Sequence, residues 1–318
     1  MEKLKSNIFI FYSSFFLILN VYSQKTEFVF DTYVLNTAKN ICYINKRPKI
    51  KTIDSLNTKN KSNKIYVSIN GGYGIATASN SQYATTTISS GSPTRYESFN
   101  STGSFGKGLQ FGATVGYLFT ENIGAELNVG YLIGETITHA QTDSRGSFQE
   151  EKSSAKMLRL TPSIKIQIGK KNITPYMRFG LVIGLAPKIT VSYLLNMPNS
   201  TNPLTEESSR IMSGGTSIGF SAGMGANFKL NKRIGVFAEL SLVSQAWAPK
   251  KAVFTKSIVN GVDVLPSSTI SQKEVEYVNP YVQGVFNANE PTKSLKTYMP
   301  FSSIGINVGL QIAIGKQK

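Results

Sequence analysis

Residues 301–314 run FSSIGINVGLQIAI. Ile304, Ile306, Val308, Leu310, Ile312 and Ile314 occupy every second position, with Gly305, Asn307, Gly309, Gln311 and Ala313 between them. Strict alternation puts the two sets on opposite faces of a strand. One face is continuously apolar and the other is small or polar. A soluble sheet would bury the apolar face under a core layer. A membrane barrel would turn it toward lipid and line its lumen with the other face.

Composition narrows the choice. Charged residues make up 16% of the 318, below the roughly 25% of soluble domains. The 27 glycines fall mostly inside alternating segments, where a soluble strand would be weakened by them. A single cysteine (Cys42) and a single histidine (His139) leave no internal disulfide and argue against a His/Cys metal site; no cofactor is expected. The net charge of +16 raises the question of nucleic acid. However, Lys3 and Lys5 precede an apolar run over residues 8–21. That pattern is expected of a signal peptide covering residues 1–23, with an uncleaved anchor as the alternative. An exported chain is not expected to meet nucleic acid. Residues 24–63 then form a basic, polar periplasmic segment. It is read either as a solvated linker or as an arm that docks on an anionic surface or partner.

Alternation recurs in seven further segments, near residues 65–75, 109–119, 123–133, 158–168, 177–185, 218–228 and 234–242. Short turns at 120–122, 169–172 and 231–233 alternate with long connections at about 79–106, 140–153, 186–217 and 248–298. All short turns therefore fall on one rim and all long loops on the other, the plan of an up-and-down barrel. Each apolar stripe, at about 9–11 residues, is long enough to cross hydrocarbon. The expected fold is all-β: an antiparallel transmembrane β-barrel of about eight strands over residues 64–318, with ten left open. In lipid every backbone group must be paired, so the first strand is expected to close on the last.

With these segments in place, the chain resembles the outer-membrane β-barrel proteins of Gram-negative bacteria, and in particular the Bacteroidetes-type "outer membrane protein beta-barrel domain" family. Asn307, Gly309, Ile312 and Ile314 are similar to the C-terminal assembly signal of that class. Aliphatic residues stand where aromatic ones are usual, and a Lys316-Gln317-Lys318 tail follows. The resemblance implies residence in the bacterial outer membrane. It also implies contact with outer-membrane lipid and lipopolysaccharide, and insertion by the barrel-assembly machinery. A periplasmic or surface protein partner is left open.

The face opposite the apolar stripes carries Glu126, Glu239, Arg159, Lys165 and Arg178. Glu126 and Glu239 hold equivalent places in IGAELNVG and IGVFAELSL. An eight-stranded barrel has an interior just filled by side chains, so these charges are expected to pair and plug it. The alternatives are a gated pore lined by them or a carboxylate pair for acid/base work. His139, near Asp143 and Ser144, is the one candidate base for a lipid-modifying enzyme, and is read instead as a solvated loop residue. Tyr117, Phe119, Tyr131, Phe228, Trp247 and Phe301 are expected in the interfacial girdles. The apolar residues of 248–298 point to strands extended above the membrane or to a fold over the mouth. Lys170-Lys171 and Lys232-Arg233 are expected on the periplasmic rim, against lipid headgroups. The expected role is structural or interactive and not catalytic. A small passive pore and a component of a secretion or assembly system are the alternatives.

Overall fold

The computed structural model describes residues 65–77, 103–142, 146–169, 172–198, 203–280 and 287–314. The expected signal peptide and basic arm lie outside the described residues. In chain order the elements are β1 (Ile65–Ala76), β2 (Gly108–Leu118), β3 (Ile123–Gly134), β4 (Ile137–Thr142), β5 (Phe148–Gln167), β6 (Ile173–Met197), β7 (Leu204–Ser213) and β8 (Ser217–Lys229). Then come β9 (Ile234–Trp247), β10 (Lys251–Val259), β11 (Val262–Asp263), the single helical turn α1 (Ile270–Lys273), β12 (Glu274–Val278), β13 (Thr292–Leu295), β14 (Met299–Pro300) and β15 (Ser303–Ile314).

Eight of these strands close a barrel in the order β1-β2-β3-β5-β6-β8-β9-β15. Every neighbouring pair is antiparallel, and β15 returns to β1 from Ile65↔Ile314 to Ala76↔Ser303. No strand edge is left unpaired around the ring, as hydrocarbon requires. The alternation decides the register: Ile69, Val115, Phe220 and Ile306 face outward and exposed, and Ile218 is 71% exposed. So continuous an exposed apolar belt is rare on soluble monomers and marks a surface that meets membrane or protein. Tyr66, Thr114, Lys165, Asn227 and Glu239 of the barrel strands face inward and are buried.

The short turns close tightly. Thr120 Oγ1 accepts the Ile123 amide at 3.0 Å, and Asn231 Oδ1 accepts the amides of Arg233 and Ile234, each at 2.8 Å. Lys170 and Lys171 lie outside the described residues.

At the other rim the strands do not stop. β5 and β6 run on together from Lys156↔Lys188 to Phe148↔Asn196, past a register shift between Lys156 and Leu158. Opposite it Ala186 takes a left-handed φ of 45°. An extra residue of this kind bends the strands out of the wall. Beyond the bend they carry an outer sheet in the order β4-β5-β6-β7-β10-β12-β13. Asn260 and Gly261, with φ of 51° and 80°, turn β10 into β11, the left-handed pair a two-residue hairpin demands. The stretches expected as loops at 140–153 and 186–217 are thus largely strand, as is part of 248–298.

The inner face of this sheet packs back onto the barrel mouth. Ile189, Val191, Met212 and Ala252 of the sheet form one buried cluster with Leu132, Met157, Trp247, Phe301, Phe105 and Met299 of the barrel end. Both outcomes expected for residues 248–298 hold together: strands extend above the barrel, and the mouth is covered.

Candidate functional site: a lumen closed at two levels

Near the short-turn rim, one network crosses the lumen. Tyr66 Oη donates to Glu126 Oε1 at 2.5 Å, and Lys165 Nζ lies 3.1 Å from the same oxygen. Arg178 spans the two carboxylates: NH2 is 2.6 Å from Glu239 Oε1, and NH1 is 3.7 Å from Glu126 Oε2. Tyr176 Oη donates to Glu239 Oε2 at 3.0 Å. The Lys165 ammonium sits between the Tyr66 and Tyr176 rings, 4.7 and 4.4 Å from their centroids, a favourable place for a desolvated cation. Gln311 Oε1 accepts from Lys165 at 3.5 Å and from Asn227 Nδ2 at 2.8 Å.

These groups come from β1, β3, β5, β6, β8, β9 and β15. Glu126 and Glu239 stand on strands four places apart around the ring of eight, so they face each other across it, with Arg178 between. Only β2 sends no side chain, and its contribution is space. A Cβ on Gly116 would lie 2.1 Å from Tyr66 Cζ, so any side chain there would expel the tyrosine. Two carboxylates against one ammonium and one guanidinium leave this layer neutral, and each ion has a partner. That is the condition under which enclosed charges are tolerated.

Arg159 does not join them. It lies six residues nearer the long-loop rim than Lys165 on β5, about 20 Å by strand rise. Its Nε donates to Gln245 Oε1 at 3.1 Å and its NH2 to the Phe301 carbonyl at 3.0 Å. Gln245 Nε2 in turn donates to Ser217 Oγ at 2.9 Å. Above this cluster sits the apolar core. Trp247 and Phe301, both 0% exposed, meet edge to face at 6.1 Å, and the Phe105 ring lies tilted against Phe301 at 5.6 Å. Trp247 Nε1 donates to the Gly214 carbonyl at 3.1 Å, so the indole is buried with its polar atom satisfied.

This placement corrects the girdle reading of Trp247 and Phe301, which fill the mouth. Tyr117, Phe119, Tyr131 and Phe228 do face outward. Strand parity carried the signal. On β9 the odd positions 235, 237 and 239 point inward, and Trp247 continues that series; Phe301 does the same ahead of Ser303 on β15.

The other expected site residues fall as follows. Asn307 faces the lumen and its Nδ2 donates to Ser241 Oγ at 2.9 Å. Gly309 lets the Phe237 ring and the neighbouring strand approach closely: an added Cβ would lie 2.2 Å from the Ile69 carbonyl oxygen and 2.6 Å from Phe237 Cζ. Ile312 and Ile314 are exposed on the outer face. His139 stands on β4 opposite Glu151, outside the lumen; Asp143 and Ser144 lie outside the described residues. Among the described residues no group of three or more potential metal ligands occurs.

The outward face of the outer sheet has a pattern of its own. Pairing aligns Lys156, Lys188, Ser213, Lys251, Glu276 and Lys293 in one row across six strands. Lys156 and Lys188 are direct cross-strand partners, both exposed. The row begins one step above lipid-facing Leu158. Like charges directly opposite each other are unfavourable in a sheet.

No curated protein matches the sequence. Among solved structures, the chain is similar to Neisserial surface protein A, at 11% identity and TM-score 0.33, over 79% of this chain and 97% of that one. OprG from Pseudomonas aeruginosa aligns at 11% identity and TM-score 0.37, over 80% and 97%. CarO2 of Acinetobacter baumannii aligns at 12% and 0.31, over 79% and 99%. The profile of the outer membrane protein beta-barrel domain family matches residues 55–246, more than half of the sequence. This chain belongs to that family and is a bacterial outer-membrane β-barrel protein.

Proposed function

We propose that the protein is a sealed, non-catalytic outer-membrane barrel that acts by binding through its extracellular sheet. The observation that carries this reading is the apolar core over the mouth. Trp247, Phe301, Met157 and Leu132 are fully buried where a pore would be open. A passive pore would need both this core and the charged layer below it to part. A lipid-modifying enzyme finds little support, because His139 stands away from the lumen. The arm that a secretion or assembly role would use lies outside the described residues. Planar-bilayer recordings of the full-length protein test the reading. The expected result is no steady conductance, and a large, steady conductance would end it.

The partner chemistry that the outer sheet favours is the phosphate of lipopolysaccharide. Lys156, Lys188 and Lys251 sit together at the level where the outward face changes from apolar to charged, and bridging anions would relieve their repulsion. Replacing all three by serine should reduce the lipopolysaccharide that copurifies with the protein, and an unchanged amount would exclude the row. The assembly machinery would meet Ile312 and Ile314 from the lipid side of β15, the strand that closes the ring.

A further inference from the structure

Between the charged layer and the apolar core lies a chamber of about 60 Å³. On that measure it has room for about four to six water-sized particles. Its lining includes Arg159 toward the extracellular end and Arg178 toward the periplasmic end, with Asn70, Asn128, Thr161 and Ser221 among the polar groups between them. Among the described residues no carboxylate lines it. Arg178 is already matched, since Glu126 and Glu239 balance Lys165 and Arg178. Arg159 is left over. Its guanidinium is bonded to an amide oxygen and a carbonyl, both neutral. The residue is 5% exposed, and its NH1 has no hydrogen-bond partner among the described residues. An ion held this far from water without a counter-charge is strongly disfavoured. Among the described residues every other buried charge of the lumen has its opposite.

We propose that this chamber is a binding site for a small monovalent inorganic anion of the size of chloride, with Arg159 as its main ligand. The guanidinium supplies the charge and a free pair of N–H donors. Asn70, Thr161 and Ser221 supply amide and hydroxyl donors that can turn toward the ion. The volume admits a halide and excludes organic acids of more than a few atoms. The closures on either side make capture an event of folding or slow opening.

The test uses the full-length protein refolded into detergent micelles with sodium bromide and crystallised. Anomalous diffraction should place bromide in the chamber within hydrogen-bond reach of Arg159, and crystals of Arg159→Met should lack that peak. A chamber holding only water, or a peak that persists in the variant, overturns the proposal. A solution measurement covers the case in which the variant does not crystallise. At constant ionic strength, exchanging gluconate for chloride at ten times its dissociation constant should lower the apparent unfolding equilibrium constant of the native protein about tenfold. Arg159→Lys, which keeps the charge, should retain part of this dependence, and Arg159→Met should lose it. Equal dependence in all three proteins, or none in the native one, rejects the site.

Discussion

At its short-turn end the lumen is filled by paired charges, and at its long-connection end by hydrocarbon. The two closures obey different rules. The lower layer draws polar groups from seven strands and is neutral, so its stability lies in completeness: each ion is costly alone and tolerable paired. The upper closure gains from burying Trp247, Phe301 and Met157, and needs close packing more than pairing. Arg159 sits at the boundary and satisfies neither rule, being buried like the aromatics and charged like the layer below. A barrel wall that reads only as alternating strands can therefore enclose two chemically unlike plugs.

The difference predicts a graded series of mutational effects, read from urea unfolding of the refolded protein. Trp247→Ala removes the largest buried side chain of the cap and should cost about 3–5 kcal/mol. A loss below about 1 kcal/mol would mean that the cap contributes little to the fold. Glu126→Gln leaves Lys165 and Arg178 facing one carboxylate in place of two, and should cost about 3 kcal/mol. Adding Lys165→Met should recover part of that loss, because it restores neutrality; a further additive loss would show that the layer is held by packing and not by charge balance. Arg159→Met, in halide-free medium, should be neutral or stabilising, since it removes a charge without a counter-ion.

The smallest effect lies on the long-connection rim. Glu135 accepts a hydrogen bond from the Tyr73 hydroxyl and lies 3.1 Å from Lys107 Nζ. The Tyr73 hydrogen bond, and then the Lys107 ammonium, hold its carboxyl below the usual carboxylate range. A lowered folded-state pKa adds stability that is fully present above the unfolded value of about 4.3 and is lost as pH falls through the folded value. For so exposed a group the gain is below about 1 kcal/mol. Glu135→Gln should flatten that acid limb alone, and an unchanged pH profile would show that the contact contributes nothing.

Much of the barrel was legible before any coordinates. Lipid demands apolar side chains on one face of every spanning strand, so eight stretches declare themselves by alternation, and the three short turns by their position. Closure of residues 65–76 on residues 303–314 follows from backbone pairing alone. The outer sheet was not legible for the converse reason. Outside hydrocarbon both faces of residues 148–153 can be polar, and a strand with Gln149, Glu150, Glu151 and Lys152 then looks like a loop. Asn260-Gly261 was an available hairpin signal within the stretch taken for a loop. The lumen charges could be assigned to one face but not to levels. Arg159 differs from Lys165 only in distance along β5, which becomes height once the strand is tilted into the wall. Trp247 reads as a girdle residue because aromatic residues near strand ends serve both girdles and caps, and only strand parity separates the two.

The most direct measurement compares single-channel conductance in planar bilayers for the native protein, Trp247→Ala, Glu126→Gln and the double variant. Two closures in series predict silence from the native protein and from each single variant, and steady conductance only from the double. Steady current through the native barrel, or an open channel in either single variant, would contradict a lumen sealed at two levels.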